Sequence, residues 1–258
     1  MTATAWGDLA GWYDKKQGDE GDLWHRTYLD PALFAVIGEV RGRQILDVPC
    51  GNGHNTRRLA RMGNLVTGLD VSEPIIAIDQ AREERETLGI TYLAADAAAT
   101  GLPDNTFDLV VSQMGLMDIP DAAGAVREMS RVMKPQGRLV ALFCHPCFDV
   151  PGHSAWVWEK VPYSSSAWRK IQHYAQPFAG QVPWNKDGET IYTTAYHRPL
   201  SWYMHAIRAA GLVLTDLHEP IPPPEFVALE QPDGPWMTDV PLHIILEARK
   251  LVPHDGAS

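Results

Sequence analysis

The chain has 258 residues, 45% hydrophobic and 21% charged, a composition that fits one large globular domain or a core with an inserted lid. Its net charge of −10, from 22 Lys and Arg against 32 Asp and Glu, disfavours a nucleic-acid partner, because phosphate contacts dominate that affinity. Three cysteines (Cys50, Cys144, Cys147) are too few for a disulfide scaffold, no apolar run approaches about 20 residues, and no basic-then-apolar leader opens the chain, so a cytoplasmic protein with no membrane association is expected.

In chain order, residues 1–40 read as helical approach segments. Leu29, Leu33, Val36, Ile37 and Val40 recur at helical spacing after Asp30-Pro31, a cap and first turn. Ahead of them, Trp12-Tyr13-Asp14 and Trp24-His25-Arg26 flank a polar loop that is either mobile surface or a ligand cover. Residues 44–60 organise the rest. Ile45, Leu46 and Val48 form a buried strand, Gly51-Asn52-Gly53 a tight turn, and Asn55 or Thr56 caps a helix that carries Leu59 and Ala60 inward. Strands and helices then alternate. Strand 65–69 ends at Asp70, Ser72 caps a helix to about Leu88, and strand 90–94 leads to Asp96. Strand 107–112 is followed by a helix capped by Asp121 and stopped at Pro135 and Gly137, then by strand 139–143. Such alternation implies a parallel sheet with helices on both faces.

From Pro146 to Arg198 no helical or strand period is sustained. These 53 residues hold ten of the chain's 23 aromatics, Tyr163 among them, which argues against disorder and for a lid. A helix capped by Ser201 and running to Gly211, then strands 212–217 and 242–248 joined through a Pro-rich loop, close the chain.

The turn 51–56 lacks the third glycine of a nicotinamide fingerprint, and no Gly-Lys-Ser/Thr follows as in a phosphate-binding loop. Instead Asp47, Asp70 and Asp96 stand at the ends of the first three strands. An acid after the second strand suits two ribose hydroxyls, Asp96 suits an exocyclic amine, and Asp47 suits an ammonium group. The plain alternative is that each acid caps the next helix. Read together, they describe a phosphate-free nucleoside bearing a positive charge.

On these residues the chain resembles a class I S-adenosylmethionine-dependent methyltransferase of the small-molecule type, related to the ubiquinone/menaquinone-biosynthesis methyltransferases. The stretches that carry the resemblance are 45–53, Gly68-Leu-Asp-Val-Ser72, Ala95-Asp-Ala-Ala98 with 102–108, and 128–138; it covers residues 40–145, and 199–250 by architecture. It implies a Rossmann-like, doubly wound, seven-stranded, mostly parallel α/β sheet with an aromatic-rich lid inserted after the fifth strand. The implied units are an N-terminal helical cover (1–40), a cofactor-binding core (41–145), an acceptor-binding lid (146–198) and closing elements (199–250). It also implies S-adenosyl-L-methionine as cofactor. Gly51, Asn52 and Gly53 would line the cofactor, Asp70 would hold the ribose with Val71 on the adenine, and Asp96 and Ala97 would bind the adenine edge. Gln113 and Met114 would lie under the sulfonium, Tyr13 over the cofactor, and Asp47 near its amino group. Pro49 stands where the family usually has glycine; without an amide donor, contact at the amino-acid end should differ.

The expected reaction moves a methyl group to an O or N atom of a small molecule, with His145 as the base and Trp24, His25, Phe148, Trp156 and His197 against the acceptor. Tyr13, His25 and His197 are secondary candidates for the base. Cys144 and Cys147 form C-x-x-C, but neither zinc nor dithiol spacing is met, and no metal is expected. The alternatives are a cofactor-binding protein of this fold without methyl transfer, and a nicotinamide oxidoreductase. A monomer and a homodimer are equally compatible with the sequence.

Overall fold

The computed structural model describes residues 5–161, 164–230 and 234–251; Tyr163 of the aromatic insertion lies outside them. Helix α1 (Ala5–Gln17), a π-helical turn (His25–Leu29) and α2 (Asp30–Ile37) precede the sheet. The alternating core follows as β1 (Gln44–Asp47), α3 (His54–Arg61), β2 (Leu65–Asp70), α4 (Glu73–Glu86), β3 (Thr91–Ala94), β4 (Phe107–Gln113), α5 (Ala122–Val132) and β5 (Met133–Cys144). After β5 come two hairpins, β6 (Ser154–Val161) with β7 (Ser164–Ile171), and β8 (Phe178–Lys186) with β9 (Glu189–His197). Helix α6 (Leu200–Ala209), β10 (Leu212–His218), α7 (Pro224–Leu229), a 3-10 turn (Gly234–Thr238) and β11 (His243–Lys250) complete the described chain.

The main sheet has seven strands in the order β10-β11-β5-β4-β1-β2-β3, and β11 alone runs against its neighbours. Alternate side chains of each central strand enter different core layers. Ile45, Leu109, Val111, Val140 and Leu142 pack on one face with Leu33, Leu59 and Ile75. On the other, Leu46, Val110, Leu139 and Phe143 pack with Val126, Met129 and Ile207. A strand buried on both faces needs apolar residues at consecutive positions, which is why these strands read as unbroken runs.

Several features differ from expectation: α2 begins at Asp30 itself with Leu29 as N-cap, and α5 ends at Val132, with β5 running through Pro135 and Gly137. Helix α3 starts at His54 with Gly53 as its N-cap, so Asn55 and Thr56 lie inside the first turn. Helix α6 starts at Leu200 after Pro199, so Ser201 lies inside it as well. The stretch 146–198 carries regular strands. The β8–β9 hairpin turns at Asp187 and Gly188, both at positive φ, the conformation a two-residue hairpin turn requires. The inward positions of that hairpin include Gly180, Thr193 and Ala195, which are too small or polar to give a hydrophobic alternation.

Candidate cofactor and acceptor site

The strand order reverses between β1 and β4, so the loops leaving these strands part and open a crevice at their carboxyl ends. β1 delivers Asp47 to that crevice, β2 delivers Asp70, and β4 delivers Gln113 and Met114. The turn after β1 is held tightly. Gly53 has φ +69, and a Cβ there would stand 2.6 Å from the Tyr92 hydroxyl oxygen, so only glycine fits. The Thr56 hydroxyl, one turn into α3, donates to Asp47 Oδ2 at 2.6 Å. The amides of Gly51 and Ser72 donate to the two Asp70 oxygens at 3.0 and 2.9 Å. Gln113 donates to Asp30 at 2.8 Å and accepts from Asn55, and His54 lies 3.3 Å from the same buried Asp30 carboxylate.

The crevice contains a cavity of about 130 Å3 walled by Tyr13, Asp47, Pro49, Asn52, Asp70 and Asp118, among others. Burial pushes Asp47 up to about 7 and Asp70 up to about 6. Asp118 is pushed up to about 7 by burial, with the charge of Asp70 adding to it. Among the described residues no lysine or arginine lines this wall. Three carboxylates facing one small space without a resident cation leave a place for a positively charged ligand. Asn55 and Ser72 stand on the same wall, and their buried Oδ1 and Oγ atoms have no hydrogen-bond partner among the described residues. These features fit a sulfonium nucleoside with an ammonium group, and they fit a pyrophosphate poorly.

A second cavity, of about 530 Å3, opens against the first. Trp6, Tyr13, His25, Met114 and Asp118 border both. Met114 takes a left-handed φ of 51°, a strained conformation for a non-glycine residue and one found at ligand-contacting turns. The remaining wall is largely apolar and includes Trp24, Val182, Trp184, Tyr196 and Tyr203. The β8–β9 hairpin closes over it through α1. Trp184 meets Trp6 and Trp12 edge-on at 5.4 and 6.1 Å, and Lys16 Nζ lies 4.9 Å from the Trp184 ring.

Of the cofactor residues expected from sequence, Tyr13, Asp47, Pro49, Gly51, Asn52, Asp70, Val71, Gln113 and Met114 stand on the first wall. Gly53 sits beneath Tyr92, Ala97 is buried in the core, and exposed Asp96 is capped by the Ala98 amide at 2.8 Å; none of the three lies on that wall. Trp24, His25 and His197 line the second cavity. Phe148 and Trp156 do not, because Phe148 packs on His145 at 4.7 Å and Trp156 lies under the Arg169 guanidinium at 5.3 Å.

His145, expected as the base, stands on neither wall. It is buried away from both walls, its Nδ1 accepts from the Cys147 amide at 3.1 Å, and its Nε2 meets Glu219 at 2.8 Å. With both ring nitrogens engaged in structure, it has none to offer an acceptor. Asp118 and the Trp6–Trp184 contact were missed from sequence. The one local signal was the Asp187-Gly188 turn, which marks the hairpin that brings Trp184 over the cavity. Among the described residues no group of three His, Cys, Asp or Glu side chains is placed to hold a metal, and no helix is long and apolar enough to cross a membrane.

Residues 46–141 match the family model described as Methyltransferase domain. The chain is 36% identical over 126 residues to demethylmenaquinone methyltransferase of Renibacterium salmoninarum, covering 48% of this chain and 49% of the relative. It is 35% identical over 136 residues to the ubiquinone/menaquinone biosynthesis C-methyltransferase of Cronobacter sakazakii, covering 49% and 51%. It thus spans about half the length of these curated relatives. The structure aligns with that of an S-adenosylmethionine-dependent methyltransferase from Mesorhizobium loti at a TM-score of 0.71 and 26% identity, covering 90% of this chain and all of the other.

Proposed function

We propose that residues 46–141, which match the Methyltransferase domain model, form a class I S-adenosylmethionine-dependent methyltransferase domain, and that the whole chain transfers a methyl group from S-adenosylmethionine to a small molecule held in the second cavity. The observation that supports this reading most is the shared wall. A small, carboxylate-rich cavity and a larger, mostly apolar one meet at Trp6, Tyr13, His25, Met114 and Asp118.

When bound, S-adenosylmethionine supplies an electrophilic methyl carbon on a good leaving sulfur. The protein therefore has mainly to align two reactants and exclude water. Asp70 would hold the ribose, and Asp47 and Asp118 would balance the positive charges. Tyr13, already packed at 3.6 Å from where a Gly51 Cβ would stand, would cover the ligand. The α1 helix and the β8–β9 hairpin would act as the lid. An oxygen or nitrogen of the acceptor is the reacting atom in this reading, because proton-accepting side chains border the junction. A ring carbon is a second reading, favoured by the C-methyltransferase name of the Cronobacter sakazakii relative.

The test is incubation with methyl-labelled S-adenosylmethionine and a panel of phenols, enols and amines. S-adenosylhomocysteine and a labelled product should appear in equal amounts, with the labelled atom identified by mass spectrometry. A melting shift with the cofactor, but no product from any acceptor, would instead indicate a binding protein without transfer.

A further inference from the structure

His25 is placed differently from His145. It opens the π-helical turn His25–Leu29, a local geometry that is rare and concentrated at functional positions. Its Nδ1 lies 2.8 Å from Asp22 Oδ1, and its own amide donates to the same oxygen at 3.2 Å. The Asp22 carboxyl is held below its ordinary range although burial opposes this, because the hydrogen bond and the charge of His25 outweigh it. An ionised carboxylate at Nδ1 selects the tautomer in which Nδ1 carries the proton and Nε2 carries a lone pair. No hydrogen bond among the described residues occupies that Nε2. The loop before it is built for this approach: Gly21 has φ +84, and a Cβ there would stand 2.6 Å from the His25 Cβ. His25 borders both cavities.

Building on the acceptor reading of the second cavity, we infer that His25, oriented by Asp22, takes the proton from a ring hydroxyl of an aromatic acceptor. Trp24, Trp184 and Tyr196 give that cavity flat apolar walls suited to such a ring. In the step, the acceptor O–H bond breaks and its electron pair stays on oxygen. The proton forms an Nε2–H bond, and the imidazolium charge is balanced by Asp22. The resulting phenolate is nucleophilic at oxygen and at the adjacent ring carbons, so one proton transfer prepares either atom. The titratable and charged groups around His25 are Tyr13 and Lys16 from α1, Asp22, Asp30 from α2, His54 at 5.2 Å from α3, Asp118 after β4, and His243 from β11.

The test uses the intact protein with S-adenosylhomocysteine added and 4-nitrophenol as a chromogenic probe, at a pH below the probe's own pKa. Wild-type protein should raise the phenolate absorbance in a saturable way. His25→Gln should abolish the rise, and Asp22→Asn should reduce it about tenfold, the scale of losing a group that orients an imidazole. Equal phenolate in wild type and His25→Gln would overturn the inference, as would loss of the signal in Asp118→Asn alone. A second measurement needs no variant: nitrogen chemical shifts of His25 should show Nε2 gaining a proton on addition of 4-nitrophenol, and unchanged shifts would overturn the assignment. If the phenolate signal is present but no acceptor is ever methylated, the methyl-transfer reading fails and the dyad stands. If product forms equally in wild type and His25→Gln, the dyad fails and the methyl-transfer reading stands.

Discussion

Two backbone amides hold the Asp70 carboxylate from either side, and that grip leaves it aimed at the crevice rather than at a neighbouring cation. Asp70→Ala should weaken S-adenosylhomocysteine binding by about 1.5–3 kcal/mol, the scale of hydrogen bonds to a charged group, as read by titration calorimetry. Unchanged affinity would place the ribose elsewhere. Asp47 depends on one hydroxyl for its partner, the Thr56 donor at 2.6 Å. Burial raises this carboxyl and the Thr56 bond lowers it, so Thr56→Val should move its pKa further up. Carboxyl carbon shifts followed against pH would show this. His145 and His25 show how a histidine's surroundings escape a sequence reading. His145 follows a strand directly, as a catalytic side chain often does. Its ring is nonetheless claimed by Glu219, 74 residues away, a partner that no local pattern reveals.

The turns around the crevice are close-packed, and the packing is specific to element ends. A Cβ on Gly115 would stand 2.2 Å from Cγ of Pro49, so the loop after β4 and the turn after β1 fit only without that methyl group. Gly115→Ala should lower stability by about 1–3 kcal/mol, the usual range for overpacking, seen as a lower denaturant midpoint with little change in slope. The β8–β9 hairpin is attached differently, through Trp184 against Trp6 and Trp12 and through Lys186 Nζ on the Asp8 carbonyl at 2.9 Å. Trp184→Ala should speed amide exchange about tenfold in α1 and this hairpin while leaving β1, β4 and β5 protected, since aromatic pairs of this kind contribute about a kcal/mol each. Uniform acceleration across the sheet would mean that the hairpin supports the core and is not a cover.

At the scale of the whole molecule, the crevice concentrates buried acids whose ionisation is disfavoured while it is empty. Asp47 and Asp118 are raised to about 7 and Asp70 to about 6, each by burial first. A raised carboxyl binds its proton more tightly folded than unfolded, so its contribution to stability is full below the ordinary carboxylate range and is lost as pH rises through the raised value. Glu128, held at about 2 by Arg131, acts in the opposite sense only at lower pH. The crevice acids should therefore withdraw stability from the ligand-free protein between about pH 4 and pH 7, against the opposite contribution of His54, His145, His197 and His243, which burial lowers, and the melting increment added by S-adenosylmethionine should grow over the same window. An increment that shrinks with rising pH would contradict charge balance as the basis of binding. The sequence by itself determined the α/β core, the glycine turn and the acids of the first two strand ends. Two-sided burial demands consecutive apolar residues, and turns demand particular residue types, so both leave local marks. Only the tertiary structure decided that Asp118, His25 and Trp6 share one wall, that the insertion forms two hairpins, and that His145 is spoken for. Those outcomes depend on contacts between distant segments, which carry no periodicity along the chain.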